Sequence, residues 1–141
     1  MPLVSFEQPL PHQVVIASDL RAARGVEEEI VRRAVTFGYS RECAFALRLA
    51  IEEAIVNGHR HGNGTDSSKK ITISYDVNER RVVVRVRDEG KGFDPATIPD
   101  PTHPERIPLP SGRGIMLMRS YLDEVAYNDR GNEVQLVKER C

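Results

Sequence analysis

Apolar residues along the chain change period several times, and each change marks an element. Val14, Val15 and Ile16 centre a short strand over residues 12–17. Ser18 and Asp19 follow as N-cap residues. Leu20, Ala23, Ile30, Ala34 and Phe37 then recur near helical spacing, which predicts a helix to about Phe37, ended by Gly38. Ser40 opens a second, longer helix through Leu47, Ala50, Ile51, Ala54 and Ile55 to about His61, with Gly62 as its terminator. Residues 62–68 read as a polar loop.

Ile71, Ile73, Tyr75 and Val77 alternate with polar residues, and Val82, Val84 and Val86 do the same after an Asn78-Glu79 turn. These predict a half-buried antiparallel hairpin. No period holds from Glu89 to Arg113, a stretch rich in proline and too long for an ordinary connection. A third helix carries Ile115, Met118 and Leu122 on one face. Two last strands, around Val125 to Tyr127 and Val134 to Val137, flank the Asp129-Arg130-Gly131-Asn132 turn. The order predicts an α/β chain built as a two-layer α+β sandwich. Its sheet is mixed and mostly antiparallel, with three helices on one face.

Composition narrows the class. The 141 residues suit a single domain, 1–141. A net charge of -1 gives no basic face of the kind nonspecific nucleic-acid binding needs, so no direct nucleic-acid partner is expected. No run approaches the ~20 apolar residues of a membrane span, and residues 1–11 do not read as a signal peptide. Cys43 and Cys141 are too few for a disulfide framework. They read as two free thiols in a reduced, cytoplasmic protein.

Three places carry chemistry. Glu53 and Asn57 are four positions apart and share a helix face with Ala46, Leu49 and Ala50. Polar groups in an apolar stripe are costly unless something pairs with them. They are either a water-bound pair near a helix end or the floor of a ligand site. Glu52 differs, with Arg48 one turn back at ion-pair spacing. Asp88 continues the inward parity of Val82, Val84 and Val86, followed at once by Gly90 and Gly92. A carboxylate beside bare backbone suits an amino group on a flat ring, although Asp and Gly also end strands for purely local reasons. Ser111-Gly112-Arg113-Gly114 leads into the third helix, where backbone amides can hold phosphate. It is not a Walker A loop, since no Gly-Lys-Ser/Thr follows. It is not a dinucleotide fingerprint, since position 117 is Leu. His59 and His61 are two apart on a helix and face different ways, so they do not form a metal pair. They read as surface and helix-end residues respectively.

Together and in this order, the three places resemble the ATPase superfamily of DNA gyrase, heat-shock chaperones, histidine kinases and mismatch-repair proteins. Its fold is the Bergerat fold. Glu53-Ala54-Ile55-Val56-Asn57 resembles the N box, Asp88-Glu89-Gly90-Lys91-Gly92 the D box and Gly112-Arg113-Gly114 the G box. The chain is most similar to the small bacterial anti-sigma factor serine/threonine-protein kinases, from about His12 to Lys138. The likeness includes His61-Gly62, Gly114-Ile115-Met116-Leu117-Met118 and Leu122-Asp123-Glu124-Val125.

That resemblance implies ATP and Mg²⁺ as cofactors. It implies Glu53 as catalytic base, Asn57 as the Mg²⁺ ligand and Asp88 as acceptor for the adenine amino group. Gly90 and Gly92 would line the adenine pocket. Gly112 and Gly114, with Arg113 between them, would approach the phosphates, and residues 93–111 would form a lid. It implies a sigma factor and an anti-anti-sigma antagonist as partners, and a homodimer. Three features depart from the pattern: Gly58 where alanine is common, Arg113 where an apolar residue is common, and the proline content of the lid. Two other functions fit the same residues. One is an ATP-switched binding module without turnover. The other is a detached histidine kinase catalytic domain acting in trans, since the chain carries no dimerisation helix with a phosphoacceptor histidine.

Overall fold

A computed structural model describes Phe6, residues 8–90 and residues 121–141 of the chain. Five strands form one sheet: β1 (His12–Ala17), β2 (Lys70–Val77), β3 (Arg81–Arg87), β4 (Glu124–Tyr127) and β5 (Glu133–Glu139), in the spatial order β1-β2-β3-β5-β4. Two α-helices, α1 (Leu20–Thr36) and α2 (Arg41–Asn57), cover one face. The third helix expected near residue 115 lies outside the described residues, as do the predicted lid at residues 93–111 and Gly92, Gly112, Arg113 and Gly114.

The sheet is not mixed. Each neighbouring pair is antiparallel. β3 and β4 do run in the same direction, but β5 lies between them, so the two parallel strands never pair. The helices make the first antiparallel pair. α1 and α2 pack as a helical hairpin that returns the chain to the sheet, and β2 then runs back along β1.

Local chemistry sets the boundaries. The Asp19 side chain caps α1 by accepting from the Ala22 amide at 2.6 Å, and Ser40 caps α2 by accepting from Cys43 at 3.1 Å. Gly38 makes the turn between the helices at φ +90°, a conformation open to glycine. The core lies between the layers. Ile30 and Ala34 of α1 and Leu47, Ile51 and Ile55 of α2 meet Ile71, Ile73, Val82, Val84 and Leu136 of the sheet. Val83 and Val137, on the opposite face by strand parity, are buried as well. Chain before β1 reaches Arg85 of that face. The Arg85 Nη1 donates to the Gln8 carbonyl at 2.6 Å, and its guanidinium lies 5.0 Å from the Phe6 ring centre.

Cys43 and Cys141 are not free thiols. They form a disulfide with their Cα atoms 5.7 Å apart. β5 brings the end of the chain back over the start of α2, where the Ser40 amide donates to the Cys141 carbonyl at 2.7 Å. Among the described residues, no helix is long and apolar enough to cross a membrane.

Candidate nucleotide site

The second helix ends differently from the expected α-helix to His61. α2 stops at Asn57, and residues Gly58–Gly62 continue as a π-helical turn. The Asn63 amide donates to the Gly58 carbonyl at 2.7 Å, five residues back, which widens the turn. This brings the turn's two glycines against the end of β3. A Cβ on Gly62 would fall within the Asp88 carboxylate, whereas one on Gly58 would sit 3.7 Å from the Asp88 Cβ, an ordinary contact. A Cβ on Gly90 would strike the Gly62 carbonyl. Gly62 is therefore more than a helix terminator: its missing side chain is the space the carboxylate occupies. The family departure at Gly58 is sterically mild.

Asp88 follows β3 directly. Its amide donates to the Asn132 carbonyl at 3.0 Å, and its Oδ1 accepts from the Gly90 amide at 2.7 Å. Burial raises the Asp88 pKa above the ordinary aspartate value, with the Gly90 amide and Lys69 opposing. A half-dry carboxylate already held at one oxygen has its other oxygen to offer a donor.

Glu53 and Asn57 are both partly buried on the flank of α2, beside the fully buried Ala50 and Ala54. Among the described residues, Glu53 has no hydrogen-bonded or ion-paired partner, and the Asn57 Nδ2 is buried without one. Buried polar atoms are rarely left so. Side-chain oxygens from an amide and a carboxylate one turn apart are donors of the kind Mg²⁺ takes, so these residues fit the ion. The structure thus places Asn57, Gly58, Gly62, Asp88 and Gly90 in one neighbourhood, with Glu53 one turn before Asn57 on the same helix.

Two expectations nearby are corrected. Arg48 does not pair with Glu52. Its Nη1 lies 3.3 Å from the Glu27 Oε1, across the α1–α2 contact. Glu27 is buried, and its pKa is raised to about 7 by that burial and by Glu52, against the pull of Arg48. His59 is also no surface residue. Its Nδ1 is 2.8 Å from the Oγ of the fully buried Ser18.

Sequence reasoning missed Asn63, which it left in a polar loop. Asn63 is 1% exposed. Its Nδ2 donates to Ser18 Oγ at 3.0 Å and to the Lys70 carbonyl at 3.1 Å, while its Oδ1 accepts from the Glu89 amide at 2.8 Å. A polar residue straight after a glycine carries no local signal for such a role.

Comparison with known proteins bears on the family and the fold. Residues 16–138 match the family model of the histidine kinase-like ATPase domain. The serine-protein kinase RsbW of Listeria innocua is 31% identical over 108 residues, covering 72% of this chain and 69% of the relative. RsbW of Bacillus subtilis is 32% identical over 111 residues, covering 72% of this chain and 68% of the relative. Among solved structures, the RsbU and RsbW domains of a Mycobacterium tuberculosis protein superpose with a TM-score of 0.60 at 16% identity. That match covers 92% of this chain but 31% of the other, and it supports the fold alone. The chain belongs to the histidine kinase-like ATPase family, in its RsbW branch, and is by class an ATP-binding protein kinase.

Proposed function

We propose that this protein is an anti-sigma factor that phosphorylates an antagonist protein on serine, using ATP, and that it sequesters a sigma factor. The observation that carries the site is the packing of the Asp88 carboxylate against the Gly58–Gly62 turn, directly after Asn57. That packing unites the two boxes that the sequence separates by thirty residues. The similarity to RsbW kinases supports the choice of a serine on a protein as acceptor.

In this reading the domain is the whole chain, 1–141. Asp88 accepts a hydrogen bond from the adenine amino group, with Gly90 and Gly92 leaving room for the ring. Gly112, Arg113 and Gly114 meet the phosphates. Asn57 holds Mg²⁺, which supplies neutralisation of phosphate charge when bound. Glu53, one turn earlier, accepts the proton of the attacking serine hydroxyl, and its lack of a basic partner among the described residues supports its use as a base. Phosphoryl transfer needs positioning above all, and Glu53 and Asn57 sit on a helix while Asp88 directly follows a strand. The reading places the protein in the cytoplasm, beside the transcription machinery.

The test is affinity capture of the protein from its native cell, with and without ATP, followed by identification of partners and phosphosites. A sigma factor and a serine-phosphorylated antagonist support the proposal. ATP-dependent capture of a partner that gains no phosphate supports a binding module instead, and phosphohistidine on a partner supports a kinase acting in trans.

A further inference from the structure

Asn63 ties the turn carrying Asp88 to three other parts of the chain. Its backbone amide closes the π-helical turn on Gly58. Its side-chain amide joins Ser18, at the corner between β1 and α1, to the Lys70 carbonyl at the start of β2 and to the Glu89 amide just past β3. Both Nδ2 hydrogens and the Oδ1 are used, so the orientation of the amide is fixed by its partners. At 1% exposure the Asn63 side chain depends on these partners for its hydrogen bonds.

The placement matters because of what lies next in the chain. The Glu89 amide is held by Asn63, and the next amide, Gly90, is held by Asp88 Oδ1. Two successive backbone amides are thus clamped, one by the end of the helix and one by the carboxylate itself. Asn63 fixes where the turn sits, and the turn fixes the Asp88 carboxylate against Gly62.

We propose that Asn63 is a positioning residue for nucleotide recognition: through the Glu89 amide it holds Asp88 in register with the α2 end, and so sets the preference for an adenine base. This rests on the reading of Asp88 as the acceptor for the adenine amino group. Asn63 itself touches no substrate. Ser18 belongs to the same network but not to the same arm, since it anchors Nδ2 rather than Oδ1. That difference separates a positioning role from a merely structural one.

The experiment measures the affinities of ATP and of inosine triphosphate, which lacks the amino group, at a temperature well below unfolding. The full chain is used as wild type, Asn63→Ala, Asn63→Asp, Ser18→Ala and Asp88→Asn. Amide exchange at Glu89 is followed in each. Asn63→Ala is expected to lower the ATP-over-inosine preference roughly tenfold, the scale of one hydrogen bond, and to expose the Glu89 amide. Asn63→Asp keeps an acceptor for that amide and is expected to stay within about twofold of the wild-type preference despite lower stability. Ser18→Ala is expected to lose stability while keeping both the preference and the protection.

Wild-type preference and Glu89 protection in Asn63→Ala overturn the proposal, and so does an equal loss of preference in Ser18→Ala. If Asn63→Ala does not fold, a collapse of preference in Asn63→Asp overturns it. Failure of the site reading is distinguishable: Asp88→Asn then keeps the full preference, and the proposal falls with it. Loss in Asp88→Asn without loss in Asn63→Ala rejects the Asn63 role alone.

Discussion

The carboxylate of Asp88 occupies the space where Gly62 would carry a side chain. A residue at the end of a strand and one at the end of a helix are therefore fitted to each other at backbone distance. The glycine at 62 is needed for room rather than for an unusual backbone angle, since it is not among the positive-φ glycines.

This relationship separates two substitutions that look alike in sequence. Gly62→Ala should displace Asp88 and weaken ATP binding by tenfold or more. Gly58→Ala meets only ordinary contacts at a helical φ of −61° and should leave binding intact. It should also stabilise the protein by ~0.5–1 kcal/mol, because alanine loses less chain entropy there. Calorimetric titration of ATP and thermal melts of the two variants check both halves.

Asn57→Ala should abolish the Mg²⁺-dependent part of ATP binding at little cost in stability. The buried Nδ2 has no partner among the described residues, so its removal breaks no hydrogen bond seen there. ATP titrations with Mg²⁺ and with a chelator should differ for wild type and coincide for the variant. Melting temperatures should stay within a few degrees, and a large drop would show that the amide serves the fold.

Much of this was legible from the chain, and the limits have physical causes. β1 falls on the expected residues, and Val82, Val84 and Val86 share a buried face of β3 as their alternation predicted, because a period of two is hard to disguise. The π-helical turn was not legible, since an apolar stripe that ends at Ile55 says nothing about an extra residue per turn afterwards. Asn63 was missed because its side-chain partners Ser18 and Glu89 lie 45 and 26 residues away, and only the assembled sheet brings them together. The Cys43–Cys141 bond was missed for the same reason, across 98 residues. Arg48 was assigned to Glu52 by spacing within its own helix, but the neighbouring first helix offered it Glu27.

Glu27 gives the protein a defined pH response. Its pKa rises from 4.5 to about 7 on folding, because burial and Glu52 disfavour its charge. A carboxyl raised in this way favours the folded state below pH 4.5, and that contribution is lost as pH climbs through about 7. The loss is on the order of 3 kcal/mol. Glu27→Gln should flatten stability against pH in that window. It keeps an oxygen for Arg48 and adds a donor toward Glu52. Denaturant melts from pH 4.5 to 8 measure it, and an unchanged slope would assign the titration elsewhere.

Reduction of the Cys43–Cys141 bond frees a closed loop of 98 residues and should cost ~2–4 kcal/mol. Wild type should melt lower with reductant present, and Cys141→Ser should melt at that lower temperature with or without it.

The central claim is that the residues around Asn57 and Asp88 transfer phosphate under the control of Glu53. Its most direct measurement is transfer of labelled phosphate from ATP to serine of the antagonist captured from the native cell, comparing wild type with Glu53→Gln. The account predicts that Glu53→Gln binds Mg²⁺ and ATP as wild type does but transfers phosphate about 10²–10⁴-fold more slowly. Transfer by Glu53→Gln at the wild-type rate would contradict it.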